Sequence, residues 1–470
     1  MKDDITSSYN VAMIPLKYSL LVAFFALSFG FSIANQFFTT DINSILFGTS
    51  QPILLISFGT TMTGAAIGIF LGAWLTYESG RKVIILSSAL FGMFAFVAAS
   101  VASNLSLFLS AYFVIGITFG LYFLSSYIYI AEITLSTHRG MACSFIVSMF
   151  VTGFMLSKCL SSMQGIANMA PFLIAYIIVN LIIFIIAFIK LPESPRWLSL
   201  VGLSDSALNV LFKLRQNMGM AAHELAAINE SSRREFHGAH LFFQNQHFRK
   251  VLWLYGITAL FLHMAGISFV PSILLFTMTD SLYLSEDLSL KMKDVMLYAI
   301  FLVFLAASLT VTFSIDKFGR RKLILFGISA DSILLFLLWL VLASGPDGSS
   351  LSIIVLSLVF IFTSSLAAFS FLSSFVDITP NNARDFAGAT VLFIYVSSIL
   401  LNTRGIYLYS DYINVPLIVF VLLCCSVILA IVLKRYYPDT SNLSLEEIEH
   451  RIFQGTELIQ IGNEVKKIIK

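Results

Sequence analysis

Twice in this chain an acid stands seven residues ahead of an arginine: Glu132 before Arg139 in "AEITLSTHRG", and Asp377 before Arg384 in "VDITPNNARD". Twice a glycine leads a pair of cations, at Gly80-Arg81-Lys82 and at Gly319-Arg320-Arg321, and Asp316 precedes the second pair. Two proline-bounded stretches add further charge, Pro192-Glu193-Ser194-Pro195-Arg196 and Pro438-Asp439-Thr440. Such groups can make and break ion pairs. No nucleophile with its base, metal-ligand spacing or phosphate-binding loop accompanies them. The chemistry on offer is reversible charge pairing, so no enzymatic activity, cofactor or metal is expected.

The elements that carry these charges are apolar. Hydrophobic residues make up 58% of the 470-residue chain and charged residues 11%, with a mean hydropathy of +0.90. A soluble domain carries roughly twice that charge. A bilayer core of about 30 Å asks for roughly 20 apolar residues in a helix. Twelve runs meet that length, at about 18–38, 53–75, 83–102, 108–131, 142–163, 171–190, 251–277, 295–315, 322–343, 351–375, 386–404 and 413–434. They are continuous rather than alternating, which excludes barrel strands. The start shows no cleavable signal peptide. The cysteines, Cys143, Cys159, Cys424 and Cys425, give neither a disulfide framework nor a metal site.

With the N-terminus in the cytoplasm, every Lys and Arg except Lys158, Lys291, Lys293 and Arg404 falls on the cytoplasmic side or at its edge. Both termini and the 191–250 segment are then cytoplasmic, in a multi-pass protein expected in the plasma membrane. Within that segment "SDSALNVLFKLRQNMG" sets Ala207, Leu208, Leu211 and Leu214 at helical spacing, with Ser204 or Asp205 as the expected cap. The division is 1–190 as a first six-helix half, 191–250 as a helical linker, 251–434 as a second half and 435–470 as a tail. Asn104-Leu105-Ser106 is a glycosylation sequon in a short outer loop.

The two glycine-arginine loops lie between the second and third runs of each half, and the acid-to-arginine loops follow the fourth. The chain therefore reads as a duplication. These motifs resemble the sugar porter family of the major facilitator superfamily over about Tyr18 to Ile448. The resemblance implies an all-α membrane fold of twelve helices in two six-helix halves, with a short cytoplasmic helical linker domain. It further implies a pairing network of Glu132, Arg139, Glu193, Arg196, Asp316, Arg320, Arg321, Asp377, Arg384 and Asp439 that closes the inside. One loop departs from the pattern: where the second half has Asp316, the first has Tyr77, followed by Glu78.

The resemblance places the solute between the halves, and there the family's sugar ligands are mostly replaced. Matching through Gly266 puts the span-seven positions on Leu262, His263, Ser268, Ser272 and Ile273; the others fall on Val147, Leu372 and Tyr395. An ionisable residue inside a span is a functional candidate by default, and His263 is expected to point into a cavity lined by spans one, four, five, seven, eight, ten and eleven. Gln36, Asn35, Ser32, Tyr122 and Ser148 are further candidate hydrogen-bonding groups. Asp331 is expected to pair with a neighbouring helix, and Lys158 to extend its amine toward the outer surface.

The family's proton-coupling pair falls on Ser32 and Tyr112, neither of which can serve. The expectation is a facilitative uniporter of a sugar or sugar-like solute, working by alternating access. The partners are that small solute and the lipid bilayer; no nucleic acid is expected, and the chain should be a monomer. A non-sugar organic solute, or a sensor on the same scaffold, stands as the alternative.

Overall fold

A computed structural model describes residues 2–38, 53–163, 170–232, 238–272, 274, 286–344, 350–408 and 414–461. The expectations for Ile273, for the side chains of Lys291, Lys293 and Arg404, and for the loop between the first two spans lie outside the described residues.

Among the described residues, twelve helices are long and apolar enough to cross a membrane. They are Met13–Phe37, Ile53–Ser79, Arg81–Ser100, Leu105–Ile133, Arg139–Ser161, Pro171–Lys190, Gln246–Ser272, Asp294–Phe318, Arg320–Ala343, Leu351–Ile378, Asn381–Asn402 and Val415–Tyr436, here spans one to twelve. The protein is a multi-pass membrane protein of two six-helix halves. Spans six and twelve are the most apolar and among the least covered, with 11% and 22% of their central windows buried, so they form the lipid-facing rim.

Close helix crossings build each half. A Cβ at Gly30 of span one would fall 2.1 Å from the Phe150 carbonyl oxygen of span five, and one at Gly153 of span five would fall 2.2 Å from that of Leu27. Only glycine permits this approach. The duplication is visible in the backbone: Gly80 and Gly319, which open spans three and nine, have φ of 90° and 91°.

Short helices Pro195–Leu200, Ser204–Arg215, Met218–Ser232 and Ala239–Gln244 lie between the halves. Ser194 and Pro195 start the first, the Ser194 hydroxyl accepting from the Trp197 N–H at 3.3 Å. Leu211, Ala221 and Ile228 make a small core of their own. The expected cap at Ser204 or Asp205 is corrected: Ser204 is already helical, and Leu203 holds the cap position without a side-chain bond. Helix Leu445–Phe453 of the tail is capped by Ser444, which accepts from Glu447 N–H at 3.1 Å, and it buries Leu445, Ile448 and Ile452. These helices mark one end of the bundle, the linker face; the opposite end is the far face.

Candidate functional site

The charges singled out in the sequence meet at the linker face, where the span ends carry them in. Glu132, at the end of span four, is 1% exposed, and its carboxylate takes two cations and a hydroxyl. Arg81 donates to it from Nε at 3.1 Å and from Nη2 at 3.3 Å, Arg384 donates from Nη1 at 3.2 Å, and the Ser194 hydroxyl also donates to it. Arg196 donates to the Glu132 carbonyl oxygen. The second half repeats the arrangement around Asp377, which receives Arg320 at 3.1 Å and Arg139 at 3.4 Å. The Thr440 hydroxyl donates to Asp377 at 3.1 Å, and Arg320 also holds the Thr440 carbonyl oxygen at 2.7 Å.

The pairing crosses between the halves. Glu132 belongs to the first half and Arg384 to the second; Asp377 belongs to the second and Arg139 to the first. Two buried acids thus each hold an arginine of their own half and one of the other. Asp316 adds a third crossing, accepting the Gly140 and Met141 N–H groups of span five at 3.1 and 2.7 Å. Tyr77, its counterpart in the first half, offers only its carbonyl oxygen, which accepts from the Trp197 indole at 2.7 Å. There the crossing is made instead by Asp385, 3.4 Å from Arg81.

Three expected members take other places. Glu193 accepts the Arg81, Lys82 and Ser194 N–H groups at 3.0, 3.1 and 2.8 Å, and so caps span three rather than pairing with a side-chain cation. Its burial pushes its carboxyl above the ordinary range, against the pull of those donors. Arg321 lies outside the cluster, donating to the Lys434 carbonyl oxygen at 2.8 Å. Asp439 binds the Ser441 hydroxyl at 2.6 Å beside Gly319.

Arg196 finds its acid where the sequence reading did not look: Glu446 of the tail helix accepts both its Nε and Nη2, at 2.9 and 2.7 Å. Burial works to raise the Glu446 carboxyl, but the Arg196 guanidinium and the helix N-terminus outweigh it and hold the group below its ordinary range. Glu449, one turn on, accepts the Asn381 N–H of span eleven at 3.2 Å. The tail helix therefore ties the linker to the second half. Its signal was present as a serine cap ahead of an amphipathic acidic stretch, "SLEEIEH".

Deeper in the bundle, span seven is not a continuous α-helix. It winds regularly to Leu262, then passes through a wide π-turn from His263 to Ile267, with Gly266 at φ 109°. Such turns free side chains from helical register. His263 is 4% exposed; its Nδ1 shares a 2.9 Å hydrogen bond with the Ser268 hydroxyl, its Nε2 has no partner among the described residues, and its ring stands edge-on to Tyr395 with centroids 4.4 Å apart. Ser272, a turn beyond, donates to the Ser268 carbonyl oxygen at 3.4 Å. Spans seven and eleven thus bring His263, Gly266, Ser268, Ser272 and Tyr395 together, with Leu262 and Leu372 buried.

Gln36 sits in the other half, where it accepts from Thr61 of span two at 3.4 Å. Two of the further candidates serve helix packing: Tyr122 donates to the Val22 carbonyl oxygen at 2.9 Å, and Ser148 bonds Thr312 of span eight at 2.9 Å. At the position of the coupling acid, the Ser32 hydroxyl bonds the Tyr176 hydroxyl at 2.9 Å, a neutral pair.

Below His263, toward the charge cluster, Tyr127 of span four stands edge-on to Phe375 across the halves, with centroids 5.3 Å apart. Leu124 and Ile128 pack toward Gly388 of span eleven beside them. Nothing in the sequence singles out Tyr127, one aromatic among many in span four.

Asp331 is fully buried and binds the Thr363 hydroxyl of span ten at 2.5 Å, the neighbour-helix contact expected of it. Lys158 corrects its expectation. It is 6% exposed and does not extend to the surface; its amine reaches Asp294 of span eight at 2.6 Å, over the Tyr298 ring. Burial of its stem along span eight leaves the acid of the other half as its near partner.

The profile of the family described as "Sugar (and other) transporter" matches residues 8–452. The arabinose-proton symporter of Escherichia coli (strain K12) is 23% identical over 408 residues, which are 85% of this chain and 85% of that protein. The proton:xylose symporter XylE of the major facilitator superfamily, solved with 6-bromo-6-deoxy-D-glucose, superposes with a TM-score of 0.80 at 20% identity, covering 93% of this chain and 99% of that one. Against the inward-open conformation of XylE from E. coli the TM-score is 0.65 at 19% identity, over 93% and 99%.

Proposed function

The chain belongs to the sugar (and other) transporter family, and from that premise we propose that it carries a sugar, or a solute of similar build, by alternating access and without proton coupling. The observation that carries the reading is the exchange of acids between the halves at the linker face. A transporter of this fold opens one end while closing the other, and Glu132 with Arg384 and Asp377 with Arg139 can hold only while the linker face is shut. The gating set is Glu132, Arg139, Glu193, Arg196, Asp316, Arg320, Asp377, Arg384 and Asp439, with Arg321 at its edge.

The positive-inside distribution supports a cytoplasmic linker face with both termini on that side; the proposal further takes the membrane as the plasma membrane and the chain as a monomer divided at 190, 250 and 434. His263, Ser268, Gly266, Ser272 and Tyr395 form the solute site in the second half, and Gln36 faces it from the first. With Val147, Leu262 and Leu372 around it, the pocket offers few donors. A buried group left unpaired costs about 1–3 kcal/mol, so a fully hydroxylated hexose fits poorly and a less hydroxylated sugar fits better. The relatives named above are proton symporters. The uniport reading rests on Ser32 and Tyr112, since neither side chain is a carboxylate that could take up and release a proton.

Uptake into liposomes by the purified protein tests this, with labelled L-arabinose, D-xylose, D-glucose and 6-deoxyhexoses, with and without a pH gradient. Saturable uptake of one of them, unaffected by the gradient, is expected. Accumulation driven by the gradient would overturn the uniport, and uptake of none of them would overturn the sugar class.

A further inference from the structure

We propose that Tyr127 is a solute-binding residue: its hydroxyl reaches the solute from the first half, opposite His263 and Tyr395 of the second. The inference rests on the reading above that the solute sits between the halves, and it adds a residue that neither the motifs nor the family match singled out.

Among the described residues, three buried polar atoms in this part of the bundle lack a hydrogen-bond partner. They are the Tyr127 hydroxyl, His263 Nε2 and the Ser370 hydroxyl. Their residues are 0%, 4% and 0% exposed. Buried hydroxyls and ring nitrogens are nearly always met by a partner, so an unmet group calls for one. These three are linked through one aromatic group. His263 stands against Tyr395, and Tyr395 stacks over Phe371, the neighbour of Ser370, at 6.4 Å. Tyr127 packs edge-on to Phe375, one helical turn further along the same span as Phe371.

The chemistry of the three narrows the ligand. A phenol and an aliphatic hydroxyl each donate one hydrogen bond and accept others, and a neutral imidazole nitrogen does one or the other. None is a fixed charge. The partner that meets all three is a neutral molecule carrying at least two hydroxyls, held against aromatic faces. A carboxylate or ammonium there would lack a counter-charge among these groups, and would be disfavoured in so buried a place.

Tyr127 would also link binding to closure. Its ring belongs to the first half and packs on Phe375 of the second, between His263 and the charge cluster. A solute hydroxyl held by Tyr127 and His263 together is held by both halves at once, and so favours the closed arrangement over either open one.

The test is Tyr127→Phe, with Tyr127→Ala beside it, in the full chain in detergent and in liposomes. Removing an unmet buried hydroxyl while keeping the ring should raise the melting temperature of the solute-free protein. The same change should raise the half-saturation for labelled D-xylose about fivefold to tenfold, with the maximal rate kept. Tyr127→Ala removes the ring as well, and should lower the maximal rate too. A lower melting temperature in Tyr127→Phe would show a structural partner for the hydroxyl and overturn the proposal, as would an unchanged half-saturation. If the parent protein carries no D-xylose, that sugar has failed rather than Tyr127. The melting temperature then judges the residue alone: a rise upholds it and a fall overturns it.

Discussion

Glu132 and Arg384 lie 3.2 Å apart at the linker face, although each belongs to a different half of the molecule. Arg139 and Asp377 repeat the relationship in reverse, at 3.4 Å. All four residues are at most 2% exposed. Exposed ion pairs contribute about 0–1 kcal/mol each. Removing one partner of a buried pair is another matter, costing about 3–5 kcal/mol because a buried charge is stranded. Asp377→Asn strands Arg139 and takes from Arg320 the nearer of its two acids, leaving it Asp316 at 3.6 Å. It should shift the resting protein strongly toward a state open at the linker face, read as faster thiol labelling of cysteines introduced along that opening. Glu132→Gln should act in the same direction.

The far face should respond more weakly and in the opposite sense. Lys158 and Asp294 also join the two halves, but the Asp294 side chain is 61% exposed, so solvent screens the pair to under about 1 kcal/mol. Asp294→Asn should favour opening at the far face by a factor of a few at most, measured by labelling of far-face cysteines. An effect as large as that of Asp377→Asn would mean that the difference in burial does not set the balance.

The tail helix gives the linker face a pH dependence of defined sign. Glu446 is held below its ordinary range of about 4.5 when paired with Arg196. Its stabilising contribution is therefore complete above that ordinary value and is lost as pH falls through the lowered one. Acidification from about pH 5 to about pH 3 should loosen the linker face, and Glu446→Gln should remove this part of the response. Glu193 works the other way, because its range is raised by burial, so its contribution favours closure below its ordinary value and fades as pH rises. Glu446→Gln should expose that opposing trend, measured as labelling rate against pH.

His263 should tolerate glutamine better than alanine. A Gln amide can donate and accept as an imidazole does, so His263→Gln should keep most transport, while His263→Ala should lose about 1–2 kcal/mol of solute affinity, or roughly five- to thirtyfold. Concentration-dependent uptake measures this. Equal uptake by both variants and the parent would make His263 a packing residue.

The fold and the charge cluster were legible for a physical reason. Continuous apolar runs have one stable solution in a bilayer, and buried charges must be paired, so acids and arginines at matching places in two halves had to meet. Which acid meets which arginine was not legible. Arg196 turns to Glu446 rather than to Glu193, because Glu193 is taken up by three backbone N–H groups around Gly80. Span seven read as a plain helix, since a single glycine does not announce a π-turn, yet that turn sets the Nδ1 of His263 on Ser268. Tyr127 was hidden for another reason: in so aromatic a span, only the packing distinguishes a phenol that lacks a partner from one that has one.

The most direct test of the account uses Cys143, which is 2% exposed and lies one helical turn beyond Arg139 in span five. Cys159, Cys424 and Cys425 are replaced by serine, and Cys143 is labelled with a membrane-impermeant maleimide from the linker side, in the parent and in Asp377→Asn. Slow labelling of the parent and labelling at least about tenfold faster in the variant are expected, since the shift asked for exceeds 1.4 kcal/mol. Equal rates, with both proteins folded and the parent transporting, would contradict a linker face held shut by acids exchanged between the halves.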